Sequence, residues 1–442
     1  MFKKLTTSEG TLFFGDQAIS GGNTSNILEI AIDPQTDGTQ INYNFADNTY
    51  ITFYNNSSLD IYSIIGSDID GHINAVALSS DNSSLYIGGS FTWIGELNAK
   101  RIAKYNIETG EWSALGTGLN NEVNAIAVSP EDNTLYVGGH FTSAGGEYAT
   151  YIAKYDIVGQ NWMALNGYGT NNDVNALVVS PDNSSLFVGG NFTTVGGSLS
   201  ANRIAKYDIT NQNWVALGGS GMNYAVQALV VSPDGTSLFA GGNFTIVNGN
   251  AVNNLAKYNI VQNEWSKLGN LNDTVYALAV SPNGSSLYIG GNFLIVDDLP
   301  VNRIAKYNIG SGEWSALGDG LNNTVNALVV LQDEVSLLFV GGSFTTADGL
   351  PANRLAKYNI DTYRWSALGD DLNNTVNALA VSPNGSLLYV SGEFNYFASI
   401  NLNSFCDISI NNQFITTLSK YQYQIVNAFS SGNIYKVYKG QN

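Results

Sequence analysis

Short apolar runs recur along this chain in a fixed order, and none has the 3.6-residue period of an amphipathic helix. The stretch Val123-Asn124-Ala125-Ile126-Ala127-Val128 ends at Ser129-Pro130. Leu135-Tyr136-Val137 then runs into Gly138-Gly139, Ile152-Ala153-Lys154-Tyr155 follows a variable loop, and Trp162-Met163-Ala164-Leu165 closes the set. Apolar and aromatic segments of four to six residues, bounded by Ser-Pro, Gly-Gly and Asn/Thr/Gly turns, predict four β-strands joined by three connections.

The same unit returns along most of the chain, and a repeat of this kind decides the organisation before any single residue does. Gly-Gly pairs begin at Gly88, Gly138, Gly189, Gly241, Gly290 and Gly341, between 49 and 52 residues apart. Six of the 7 tryptophans, Trp112, Trp162, Trp214, Trp265, Trp314 and Trp365, keep the same step. Full repeats are read at 27–66, 73–116, 123–165, 174–217, 226–269, 275–317, 325–368 and 376–418. In the first, Tyr62 stands where tryptophan would be; in the last, Phe414 does. Val426–Gly440 matches the first two strands of a further unit and Phe2–Gly15 the last two. Pairing these ends would close a ring and leave no free sheet edge between blades. The expectation is an all-β, closed β-propeller of four-stranded antiparallel blades forming a single domain over 1–442. It has nine blades with a composite blade from 2–15 and 426–440, or eight if Phe2–Gly15 is only an arm.

The phrase L-Y-V-G-G-x-F-T followed by R-I-A-K-Y-(D/N) carries a resemblance. Its Gly-Gly and its Tyr…Trp pair resemble kelch and galactose-oxidase-type propeller repeats. The fuller phrase is similar to propellers of cortical polarity markers and large surface proteins. The resemblance implies the fold over nearly the whole chain; for function it implies little, because propellers host many activities.

A residue present in every blade is expected to build the ring, since a reaction needs one site and a ring needs every blade alike. Gly-Gly is read as a bulge or a close approach of backbones. The tryptophans and the tyrosines Tyr105, Tyr155, Tyr207, Tyr258, Tyr307 and Tyr358 are read as packing between blades. Lys104, Lys154, Lys206, Lys257, Lys306 and Lys357 recur on strand three, with Arg101, Arg203, Arg303 and Arg354 three residues earlier in four blades, and the lysines are expected to pack their stems and set their heads on an Asp or a carbonyl of the neighbouring blade. Asn74, Asn124, Asn175, Asn326, Asn377 and Asn427, with Gln227 and Tyr276 at the same step, occupy the second position of strand one. The kelch resemblance places that strand innermost, so these residues are expected to line the central channel.

Composition narrows the chemistry. In 442 residues, 18 Lys+Arg against 36 Asp+Glu give a net charge of −18, which repels phosphate and argues against nucleic-acid binding. No apolar run approaches the roughly 18 residues of a membrane span, and Met1–Thr7 lacks the apolar run of a signal peptide. Membrane insertion is therefore not expected, and a virion or surface assembly is a setting that would suit such a ring. One cysteine, Cys406, and two histidines, His72 and His140, leave no metal cage, no cofactor and no histidine-based triad in the expectation. The carboxylate pairs Asp68/Asp70, Asp297/Asp298 and Asp370/Asp371 keep a hydrolase or lyase open as an alternative.

Function is expected in the loops. In an antiparallel blade the loops after strands two and four share a face, and here they are the longest and most variable. They carry Trp93, Ile94, Tyr148, Tyr168, Met222, Tyr224, Tyr396 and Phe397, a set that suits a protein partner. The expectation is a non-enzymatic interaction scaffold; a glycan-binding, lectin-like propeller is the alternative.

Overall fold

In the computed structural model the chain divides into two compact units, 63–399 and, drawn from both ends, 1–62 with 400–442. The structure describes 62–402 apart from 132, 333–335, 369–371, 383–384 and 395, together with isolated strands in both flanks.

The large unit is a ring of four-stranded antiparallel sheets. Blade 1 is built from Ile73–Leu78, Ser84–Gly89, Ile102–Asn106 and Trp112–Ala114 in spatial order one to four. Blades 2 to 6 repeat that order over 123–164, 174–216, 226–267, 275–316 and 325–367. Blade 7 takes its first three strands from Val376–Val381, Leu387–Gly392 and Phe397–Asn401. Its outer strand is Tyr62–Gly66, from the other end of the sequence. Among the described residues the ring therefore has seven blades, not nine or eight.

Closure is visible at the inner strands. Asn377 of blade 7 donates its Nδ2 to the Ile73 carbonyl at 3.5 Å and to Asn74 Oδ1 at 3.4 Å. Tyr389 of blade 7 packs in one cluster with Ile73, Leu85 and Ile87 of blade 1. The threading of 27–66 and 376–418 as whole blades is corrected accordingly: among the described residues, Tyr62–Gly66 and 376–401 together make one blade of the ring, and Phe414 lies outside the described residues. The proposed pairing of the ends is corrected as well. Thr11–Phe14 pairs with Thr6–Ser8 and Gln17–Ile19, whereas Ile434–Lys439 pairs with Ile27–Ala31 and with Tyr423–Ala428. Likeness to the repeat identifies a strand; it does not say which sheet the strand joins.

The recurring residues hold neighbouring blades together. A Cβ on Gly189 would stand 2.5 Å from Val226 Cγ1 of the next blade, and one on Gly190 would stand 2.1 Å from the Asp173 carbonyl oxygen. Only glycine fits either place, and the register slips by one residue between Val174 and Ala176 opposite this pair, as a bulge requires. Each strand-three tyrosine stacks on the tryptophan of its own blade with centroids 4.9–5.1 Å apart. The tryptophan Nε1 then donates back to the preceding blade: Trp162 to Leu115, Trp214 to Asn166 and Trp365 to Leu317, each at 2.8 Å. Trp112 does the same to Ile65 of the closing strand at 2.7 Å. Each such hydrogen bond contributes about 1 kcal/mol and each aromatic pair a similar amount beyond burial.

The turns between strands one and two are fixed locally. Ser180 Oγ donates to Asp182 Oδ1 at 2.5 Å while accepting the Ser185 N–H at 3.0 Å, and Ser79 and Ser232 do the same with Asp81 and Asp234. The serine hydroxyls and then the turn amides hold Asp81, Asp182 and Asp234 below the usual carboxylate range.

Candidate functional site

Two places on the ring gather side chains that sequence reasoning singled out. The first is the axis. Asn74, Asn124, Asn175, Gln227, Tyr276, Asn326 and Asn377, one from each blade, surround a cavity of about 350 Å³. Each sits at the bulge that the second glycine permits. The asparagine amides reach sideways: Asn124 Nδ2 donates to the Val174 carbonyl at 3.3 Å, Asn326 to Val376 at 3.4 Å, and Asn74 to Val123 at 3.1 Å and to Glu122 Oε1 at 2.7 Å. The amide circle thus joins first strands of adjacent blades where a sheet would otherwise leave carbonyls unpaired. Asn427 belongs to the other unit, on Tyr423–Ala428 opposite Lys436, and is not one of the seven.

The second place is the face formed by the loops after strands two and four. In blades 1 to 6 the connection after strand two folds into a two-residue β-hairpin, such as Trp93–Ile94 with Leu97–Asn98 or Ser143–Ala144 with Glu147–Tyr148. The loop entering the same blade bridges to it: Ile69 to Ile94, Leu119 to Ala144, Met222 to Val247 and Leu321 to Ala347. One side chain locks the two together. Asn120 Oδ1 accepts the N–H groups of Thr142 and Ser143 at 2.9 and 3.0 Å, and its Nδ2 donates to Thr142 Oγ1 at 2.9 Å. Asn171, Asn223, Asn272 and Asn322 repeat the clamp, and in blade 1 Asp70 Oδ1 accepts from Thr92 and Trp93. Sequence reasoning missed this clamp. Its signal was there, an Asn or Asp one residue after the bridging residue of each blade-entry loop, apolar in all but Thr170, but it lay among many other asparagines.

Alternation along the hairpin strand decides which predicted residues face outward. Trp93 is exposed and its neighbour Ile94 is buried against Ile69; Met222, a bridge residue like Leu119 and Leu321, is only 3% exposed. Ile94 and Met222 are therefore core residues, a correction to their assignment as partner-binding. Tyr148 and Tyr168 are each 61% exposed, and Tyr224, Ile246, Ile295 and Leu350 are exposed with them. Tyr396 and Phe397 stand at the start of the third strand of blade 7. Among the described residues blade 7 has no paired hairpin between its second and third strands; Tyr396 is half-buried against Phe394 with centroids 4.7 Å apart.

Tyr168 departs from the repeat. It occupies a short 3-10 turn, Asn166–Tyr168, with φ +69°, a conformation uncommon for a bulky side chain. Thr150 holds it there, its N–H and Oγ1 both donating to the Tyr168 carbonyl at 2.8 and 2.7 Å. The ring then meets Tyr148 of the preceding blade edge to face, with centroids 5.4 Å apart.

The repeated arginines rest on backbone carbonyls. Arg101, Arg203 and Arg354 donate Nη1 to the carbonyls of Ser90, Asn191 and Ser343 in their own blades, and Arg303 to Leu321 at 2.9 Å. The Lys257 ammonium stands 6.0 Å over the Phe239 ring of its own blade. Asp297 of the Asp297/Asp298 pair accepts the backbone N–H and side-chain amide of Asn270, at 2.9 and 2.8 Å. Asp370 and Asp371 lie outside the described residues, as does Cys406. No helix is long and apolar enough to cross a membrane among the described residues.

No curated protein matches the chain. The family model of the Rax2 C-terminal beta propeller domain matches residues 41–167, 163–269, 266–334 and 315–436, spans that together take in the whole ring and part of both flanks. The chain belongs to the Rax2 C-terminal β-propeller family.

Proposed function

We propose that this propeller is a non-enzymatic scaffold that holds a protein partner on its hairpin face. One observation carries the reading. Six hairpins, each locked to its blade by an Asn or Asp clamp, present exposed aromatic or aliphatic side chains on one side of the ring. Rigid display of large apolar groups stabilises association, because little side-chain and loop freedom is lost on binding. The opposite side offers serine–aspartate turns whose polar groups are already engaged with one another. The kelch likeness is kept only for the work that Gly-Gly and Tyr…Trp do between blades.

The test is chemical cross-linking of the full chain in extracts of its source, read by mass spectrometry, for the native sequence and for a Trp93→Ala, Tyr224→Ala, Leu350→Ala variant. The expected result is a protein partner cross-linked at the hairpin loops and reduced at least tenfold in the variant. Equal capture by both chains, or cross-links confined to the serine–aspartate turns, would remove the reading.

A further inference from the structure

Resting on that reading, we infer that the Tyr148–Tyr168 pair is the anchor of the face and that its occupant is a basic polypeptide segment, with an arginine or lysine side chain packed on the two rings. At this place the repeat is broken toward exposure. Both phenols are well exposed, the rings meet edge to face at 5.4 Å, and Tyr168 is held at positive φ by two hydrogen bonds from Thr150. A residue kept in a sparsely populated conformation by its surroundings marks a place where position matters more than local stability. Exposed tyrosine rings are a surface on which a guanidinium or ammonium group is attracted by the ring quadrupoles.

Charge names the partner. The loops of this face carry the exposed carboxylates Asp68, Glu96, Glu147, Asp273, Asp297 and Asp298. Against them stand Lys100 and Lys267, and Lys267 already donates to Asn270 Oδ1. Asp70, Glu122, Asp173, Asp319 and Asp348 lie in the same loops, so carboxylates outnumber the cations even with the four arginines, whose guanidinium groups rest on backbone carbonyls, counted in full. Aromatic anchors set in a negative field select a segment in which Arg or Lys alternates with apolar residues, and repel acidic chains and nucleic acid alike.

The experiment uses the full chain and a fluorescent 18-residue peptide of Arg and Leu, with its Glu/Leu counterpart as control, read by anisotropy. The basic peptide is expected to bind and the acidic one not, with affinity falling at least tenfold from 50 to 500 mM NaCl as the surface charges are screened. Tyr148→Ala with Tyr168→Ala should weaken binding about tenfold at an unchanged thermal transition, and Tyr148→Phe with Tyr168→Phe should restore it, because the rings carry the attraction. Glu96→Lys, Glu147→Lys and Asp298→Lys together should weaken binding more than Glu108→Lys, Glu111→Lys and Glu313→Lys, which change net charge equally on the opposite side. Unchanged affinity in the double alanine variant, equal losses from the two charge reversals, or binding of neutral oligosaccharides in place of the basic peptide would each overturn the inference. If the peptide fails while cross-linking still maps a partner to the hairpins, the basic anchor falls and the hairpin-face scaffold stands.

Discussion

Blade 3 and blade 7 show how the same sheet is made in two ways. Blade 3 is one continuous stretch of chain with Gly189-Gly190, the Tyr207–Trp214 stack and a hairpin over its edge. Blade 7 has Ser391 for the first glycine, no hairpin among its described residues, and an outer strand, Tyr62–Gly66, borrowed from a segment more than 300 residues away. Yet the borrowed strand is gripped as any outer strand is, with Trp112 of blade 1 on the Ile65 carbonyl and a close approach between Gly66 and the Trp112 ring. The blade-to-blade clasp is what the ring needs; an unbroken chain is not. Removing residues 1–66 should therefore have the largest effect, exposing the edge of blade 7 and stranding the Trp112 donor. The cooperative thermal transition is expected to vanish with aggregation. A normal transition without 62–66 would show that the seam does not depend on that strand.

Within the continuous arc the clasp can be weighed directly. Trp162 is buried between blades and hydrogen-bonded. Trp162→Ala should cost about 3–5 kcal/mol, the usual range for losing a large buried aromatic, in calorimetry or denaturant unfolding. A smaller difference between arc and seam lies at the first glycine. A methyl at Gly189 would overlap Val226, so Gly189→Ala should cost about 1–3 kcal/mol. Ser391→Gly should change stability by less than about 1 kcal/mol, because the seam already accommodates a Cβ there. Equal costs at both positions would mean that the blades pack alike all round.

The sequence makes the arc plain and the seam obscure, for a physical reason. In the arc every contact that holds two blades is made by a residue type with few substitutes: a glycine under a valine, a tryptophan on a carbonyl, an asparagine at a bulge. Those letters repeat and can be counted. At the seam a strand need only supply backbone and moderate apolar bulk, so Tyr62-Ser63-Ile64-Ile65-Gly66 is recognisable as a fourth strand while its partner is not. Blade number is hidden for the same reason, since it depends on the angle between neighbours. On the loop face the list of large residues was readable, but alternation in a two-residue strand decides that Trp93 faces out and Ile94 in. The Asn120-type clamp that fixes this was lost among other asparagines.

Alkali tests arc and seam together. Desolvation, and then a neighbouring tyrosine, pushes Tyr136, Tyr288 and Tyr389 up to about 12. Since the folded state holds these phenols neutral above their ordinary value near 10, the stability they contribute is intact below about pH 10 and is lost as pH rises toward 12. Ultraviolet titration should show them ionising only as the ring unfolds. Phenylalanine already fills the same position as Phe187, Phe239 and Phe339, so Tyr136→Phe, Tyr288→Phe and Tyr389→Phe together should carry folding to higher pH. Free titration of all three near pH 10 with the ring intact would contradict their burial.

The smallest expected effect separates two things that the hairpin clamp does. In five blades the clamp is an asparagine that both accepts two N–H groups and, in blades 2, 3, 4 and 6, donates to a threonine hydroxyl; in blade 1 it is Asp70, which accepts at 2.5 and 2.8 Å. Acceptance from the hairpin backbone is common to all six, so it fixes the hairpin, and the donated bond is dispensable. Asp70→Asn keeps both accepted bonds and should shift stability by no more than about 0.5 kcal/mol. Asp70→Ala leaves the Thr92 and Trp93 amides without their acceptor and should cost about 1 kcal/mol, with a larger change in hydrogen exchange at the Trp93 hairpin than anywhere else in the ring. If Asp70→Asn proves as damaging as Asp70→Ala, the carboxylate charge and not the shared acceptor geometry holds the first hairpin, and blade 1 must be set apart from the other five.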